Sequence, residues 1–230
     1  MVSSQAQMEL QNYSFMDNDV LIWRPNRIGH FFAKEFYKMH FAGEARAPTW
    51  LLKFKDPFVQ PSRLLLLWSI WKNRLPTHDQ LRKAGQCIVS ACHLCFKDAE
   101  TVQHLFLSYS FAQKLWGYIS DIFSMNLCSH GQVDDLLISV TKSGRSEQVQ
   151  NMLIVAAVAV FQAVWTVRNK FLFDNKVPSS HTGVLLIHKG VHAAVALQNG
   201  AMDSTCSDLT TLRLLGVSGK SKPPLMIKYI

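Results

Sequence analysis

The sequence predicts a mainly α fold with an N-terminal β-hairpin, a compact Cys/His loop in the middle and a helical bundle, and three observations carry that reading. Apolar residues recur at helical spacing through most of the 230 residues, extended-chain patterning is confined to a short stretch around Pro25–Gly29, and cysteine and histidine concentrate within residues 87–104. A hydrophobic content of 48% against 17% charged residues lies far from the composition of disordered chains, so a buried core is expected.

Residues 1–16 lack a sustained period and read as a junctional tail. Val20, Leu21, Ile22 and Trp23 then make a short apolar run, Pro25-Asn26-Arg27-Ile28-Gly29 supplies turn chemistry, and Phe31 and Phe32 resume the run, which is the pattern of a hairpin. From Ala33 helical spacing takes over through Phe36, Tyr37 and His40 or Phe41, until Gly43. A short helix is expected over 49–54, ended by Pro57. Residues 62–75 are apolar almost all round, which marks a buried helix. Pro76 breaks it, Thr77 is placed to cap a new helix carrying Leu81 and Ala84, and Gly85 closes that helix.

After the Cys/His loop, Phe106, Phe111, Leu115, Trp116 and Ile119 predict a helix to about Phe123, and a shorter one is expected over 133–140. Ser143-Gly144-Arg145-Ser146 reads as a linker or turn. Residues 147–173 then form one long helix ended by Asn175 and Pro178, with weaker helices over 181–198 and 203–215. The expected organisation is therefore a tail (1–16), a first domain (17–142), a helical region (143–215) and a linker (216–230).

Composition narrows the function. The net charge of +8 suits a polyanion, with Arg63, Lys72, Arg74, Arg82 and Lys83 set against Asp79 alone in residues 61–90, although basic composition also describes an ordinary solvated surface. Five cysteines, an odd number, follow a start without a cationic and apolar leader, so secretion is not expected and the chain reads as intracellular, nuclear or cytoplasmic. The apolar run over 152–167 is shorter than the roughly 20 residues of a bilayer span and is read as a core helix, with a membrane-associated helical protein as the rival. Trp68, Trp71, Trp116 and Trp165 sit at core spacing rather than as base-stacking platforms. The only Asp-Asp pair, Asp134-Asp135, lacks the preceding aromatic of a polymerase turn and reads as a helix N-terminus, and no spaced carboxylates of a nuclease site are present.

One cluster has metal-ligand character. Cys92-His93-Leu94-Cys95, followed nine residues later by His104, offers two thiolates that a single turn can aim at one ion, and zinc accepts sulfur and imidazole nitrogen tetrahedrally. This is a zinc-knuckle-like loop with Cys92, Cys95 and His104 as candidate ligands. Two buried thiols without a metal are the plainer alternative.

The order of motifs resembles the zinc-binding region of reverse transcriptases in plant LINE-type non-LTR retrotransposon polyproteins. The likeness runs through Asp19 to Trp23, Gly29, Phe32, Tyr37, Trp50, Pro57, Pro61 and Trp68, then Asn73-Arg74-Leu75-Pro76-Thr77 with Asp79, Leu81 and Gly85. It continues through Cys92-His93-Leu94-Cys95, Glu100-Thr101, His104-Leu105-Phe106, Phe111-Ala112 and Trp116 to Trp165, Arg168-Asn169 and Phe173, so it covers residues 17–176.

The resemblance implies a fourth ligand, a cysteine five residues after the histidine, and here that position is Tyr109. It therefore implies a weakened zinc site, with Cys87 or His93 as substitute ligands. Asp98 and Glu100 are read as acids at a helix N-terminus near Thr101. The resemblance further implies a non-catalytic module or a relic of one, with RNA or DNA as partner and no small-molecule substrate, and a tail leading to an RNase H-like domain. An autonomous basic nucleic-acid-binding protein and a hydrolase with an open zinc site are the other readings.

Overall fold

The computed structural model describes residues 48–54, 58–89, 91–175 and 179–222. The hairpin expected within 20–32, the helix expected from Ala33, and Pro57 and Pro178 lie outside them. The chain divides into Met1–Pro48 and Thr49–Ile230, and the elements below belong to the second unit. They are α1 (Thr49–Phe54), α2 (Pro61–Trp71), α3 (His78–Lys83), a π-helical turn (His104–Ser108), α4 (Ser110–Phe123), α5 (Val133–Thr141), α6 (Glu147–Asp174), α7 (Ser180–Val195) and α8 (Cys206–Leu214). Among the described residues there is no strand, only isolated bridges between Ala91 and Ala99 and between Met202 and Ser221. The mainly helical class holds.

The axis of the bundle is α6. Its Val- and Ala-rich run from Met152 to Val164 is buried on nearly every side, and α2, α4, α5 and α7 all pack against it. Small side chains let four neighbours approach one helix at once, which is why the run lacks the polar face of a surface helix. By length and composition α6 could cross a bilayer, but 72% of its most apolar window is buried inside this fold. That burial is the role expected of a core helix.

On one side of α6 the aromatic centre forms. Trp116 is fully buried, sets its ring edge-on to Phe161 at 5.2 Å, and donates its Nε1–H to the Phe106 carbonyl at 2.7 Å. Phe106 and Phe161 are 5.5 Å apart, so π-turn, α4 and α6 share one cluster in which each fully buried large side chain contributes about 1.5–3 kcal/mol. On the other side α7 lies across α4 and α6 at two glycines. A Cβ on Gly183 would stand 2.8 Å from Leu115 Cδ2 and 3.0 Å from Phe111 Cζ. Since Leu115 is fully buried and cannot yield, Gly183→Val is expected to destabilise the fold by about 1–3 kcal/mol, measured by urea denaturation.

Helix α2 departs from its expected extent. It stops at Trp71, not Leu75, because Asn73 takes a left-handed conformation (φ 51°) and the Arg74 and Asn73 N–H groups return to the Ser69 and Ile70 carbonyls, closing the last turn. Nor is it buried all round: Leu66, Leu67 and Ile70 face the core, whereas Leu65 is 51% exposed. The tryptophans divide likewise. Trp116 is core, but Trp68, Trp71 and Trp165 are half-buried, each with a cation on its ring: Arg74, Lys72 and Arg168 at 5.3, 4.2 and 5.1 Å.

Thr77 occupies the N-cap of α3 without capping it through its side chain. Its hydroxyl donates to Asp79 Oδ1 at 2.6 Å, while Glu100 receives the helix's first N–H groups, from His78 to its carboxylate and from Asp79 to its carbonyl, both at 3.3 Å. Asp134 and Asp135 lie in the first turn of α5, as expected of a helix N-terminus, and Asp134 Oδ1 accepts from Trp50 Nε1. Beyond α8 the chain stays on the body as far as it is described: Val217 is buried and Lys220 Nζ donates to the Gln198 carbonyl.

Candidate metal centre

Local backbone chemistry builds the loop that carries Cys92 and Cys95. The Cys92 N–H donates to the Asp98 carbonyl at 2.7 Å, the Phe96 N–H returns to the Cys92 carbonyl at 2.8 Å, and Ala91 bridges Ala99 in antiparallel fashion. Phe96 makes the turn in a left-handed conformation (φ 55°), which reverses the chain straight after the second cysteine. The N–H groups of Leu94 and Cys95 point at the Cys92 sulfur. A turn of this kind aims both sulfurs and its own amides at one centre.

The third candidate arrives on the next element. Thr101 Oγ1 accepts the His104 N–H at 3.0 Å and so caps the turn that begins at Val102, as the sequence suggested for this position. The helix then widens into a π-turn, in which the Tyr109 N–H reaches back five residues to the His104 carbonyl at 2.7 Å. Five residues complete about one π-turn, so His104 and Tyr109 lie on the same side of the chain, which they would not do in an α-helix.

These elements bring Cys92, Cys95 and His104 together, their ligand atoms all within 4.8 Å of one another. Cys95 Sγ and His104 Nε2 are 3.4 Å apart, against about 3.5 Å between sulfur and nitrogen on a tetrahedral zinc with bonds of roughly 2.3 and 2.0 Å. Asp98 Oδ2 stands 3.8 Å from His104 Nδ1, on the far side of the ring from the sulfurs. A carboxylate there orients an imidazole toward a metal. The donor set and spacing fit zinc.

Burial pushes the Cys92 thiol up to about 11, against the pull of the Leu94 and Cys95 amides and with a further push from Cys95 and Glu100. The metal-free thiol therefore keeps its proton at neutral pH, and an ion entering the site must displace it. Zinc affinity is expected to weaken as pH falls, because protons compete for the sulfur, and titration at two pH values with a competing chelator checks this.

The fourth corner holds no thiolate. Tyr109 is buried, its ring centroid 6.2 Å from that of His104, and its phenol is raised by burial and then by the nearby Cys92 and Cys95. The substitutes suggested by sequence do not converge. Cys87 is exposed, and His93 packs edge-on against His78 at 4.5 Å with its Nδ1 buried and without a hydrogen-bond partner among the described residues; neither joins the three-residue cluster. Cys128 and Cys206 lie elsewhere, the first against the Gln113 carbonyl and the second exposed at the start of α8.

What pins the loop to the bundle is an ion pair that sequence reasoning missed. Glu100 is 1% exposed; its Oε1 receives Arg168 Nη2 from α6 at 2.7 Å, and Arg168, 4% exposed, also donates to the Pro76 carbonyl at 3.2 Å. Glu100 is therefore a buried anchor and a cap for α3, not an acid at the helix that starts near Thr101. Asp98 likewise faces His104 rather than a helix end. The available signal was Arg168 itself, a charge set directly after an uncharged apolar run, which needs a partner if the run is core.

Residues 31–116 match the family described as zinc-binding in reverse transcriptase. No curated protein and no solved structure matches the chain. The matched segment contains Cys92, Cys95 and His104 together with Tyr109 and the Glu100 anchor, and the family it matches is a zinc-binding domain rather than a catalytic one. Residues 31–116 are thus similar to the zinc-binding domain of reverse transcriptases.

Proposed function

We propose that this chain is a non-catalytic zinc module derived from the reverse-transcriptase polyprotein of a plant LINE-type element, and that Cys92, Cys95 and His104 hold one zinc ion with structural effect. The observation that carries the reading is the convergence of those three ligand atoms within 4.8 Å inside the matched segment. A structural role follows from the surroundings: Cys92 is fully buried and His104 nearly so, and the loop is tied by Glu100 and Arg168 to α6. A hydrolytic zinc would need a water and a general base, whereas the neighbour near both sulfurs is the buried Tyr109 phenol.

RNA or DNA is the proposed partner, through the exposed cations Arg82, Lys83 and Lys97 flanking the loop, in an intracellular, nuclear or cytoplasmic setting. The organisation that goes with this reading is a domain over 17–142 followed by a helical region. Metal analysis of the purified chain tests the central claim. One zinc per chain is expected, with loss in Cys92→Ser, Cys95→Ser and His104→Ala; a chain that binds no zinc, or binds it equally in all three variants, overturns it. For the partner, binding to single-stranded RNA that falls steeply with salt is expected, and no binding at low salt refutes that part alone.

A further inference from the structure

We propose that His188, His192 and Tyr118 form a second metal site, on the face of the bundle where α4 meets α7, which takes a divalent transition ion of the nickel or zinc type. His188 and His192 are four residues apart on α7, so both rings leave one face of the helix, and the structure stacks them with centroids 6.3 Å apart and planes 29° from parallel. Two imidazoles one turn apart on a helix are a chelating pair. Tyr118 comes to them from α4, its ring 5.9 Å from that of His188 and its hydroxyl 2.5 Å from His188 Nε2.

That hydrogen bond sets the chemistry. With the phenol donating, Nε2 carries the lone pair and Nδ1 the proton, which is the neutral tautomer that ligates a metal through Nε2. The other imidazole belongs to His192, an exposed residue, and its Nε2 lies beside Gly216, 3.4 Å from where a Cβ would stand. Two nitrogens and one oxygen suit nickel, zinc or copper, not calcium or magnesium.

On binding, the ion bonds to Nε2 of both histidines and to Tyr118 Oη, and the phenolic proton leaves to solvent. The Oη to Nε2 separation opens from 2.5 Å to the roughly 3.3 Å between two donors on one tetrahedral ion with bonds near 2 Å, a change that side-chain torsions on the two helices absorb.

Calorimetric titration of the untagged full chain with nickel chloride tests the site, in the zinc-loaded protein freed of excess zinc and again in the Cys92→Ser/Cys95→Ser background. One nickel per chain is expected in both. His188→Ala and His192→Ala, at accessible positions, are each expected to weaken it about 100-fold, the lower end of the gain when a second contact becomes intramolecular. His181→Ala, on the same helix, leaves it unchanged, and Tyr118→Phe abolishes the proton release read from buffer-dependent heats. Absence of nickel binding, parental affinity in either alanine variant, or proton release that survives Tyr118→Phe overturns the assignment. Because the second background lacks the two sulfurs, failure of this site and failure of the zinc reading are separately visible.

Discussion

Arg168→Met is expected to lower the unfolding free energy by about 3–5 kcal/mol, read as a fall in the urea midpoint, because it leaves the buried Glu100 carboxylate with only the His78 ring, 3.9 Å away, in place of the guanidinium. The magnitude comes from desolvation rather than from the attraction itself. Glu100 is 1% exposed, so water cannot replace the guanidinium that sits 2.7 Å away. Removing both charges is the discriminating experiment. In Arg168→Met/Glu100→Leu no ion remains buried, and at least half of the loss is expected back, the remainder reflecting the His78 N–H that Glu100 no longer accepts. A single variant that costs under about 1 kcal/mol would show that the pair does not hold the fold. Zinc affinity is expected to fall with Arg168→Met as well, since Glu100 lies between the Ala91–Ala99 bridge and the Thr101 cap, and loosening it loosens all three donors.

That coupling explains what could and could not be read from the sequence. Helices α1, α3, α4, α5 and α6 are local: periodic apolar residues and adjacent turn chemistry fix them, so their approximate extents and the burial of α6 were legible. The three candidate ligands were legible too, because CxxC followed by His is a short-range pattern. The end of α2 was not, since Asn73 rather than a glycine takes the left-handed position, and apolar Leu75 beyond it looks like a continuing stripe. The π-turn was invisible for a related reason. Nothing in His104-Leu105-Phe106-Leu107-Ser108 distinguishes a wider turn from an α-helix, yet that turn is what aligns His104 with Tyr109. The Glu100–Arg168 pair joins residues 68 apart, and only the fold chooses which acid meets the buried Arg168 of α6.

Tyr109→Cys is expected to tighten zinc binding about 100-fold while making the metal-free chain less stable, and the opposite signs are the point of the experiment. Position 109 follows the π-turn directly and is buried beside His104, with its phenol close enough to Cys92 and Cys95 to feel both sulfurs. A thiolate there closes a tetrahedron whose other three corners are already within 4.8 Å of one another. Structural zinc sites with four ligands contribute about 10–16 kcal/mol of apparent binding energy at neutral pH, so one ligand is worth roughly 3 kcal/mol, or about two decades of affinity. Without metal the same change removes a buried aromatic ring and leaves a cavity, at a cost of about 2–4 kcal/mol. Thermal denaturation in chelator should therefore rank the variant below the parent, and denaturation in excess zinc should narrow or reverse the order. A variant destabilised equally in both conditions would mean that the sulfur at 109 cannot reach the ion, and that the π-turn does not present this position to the Cys92, Cys95 and His104 cluster.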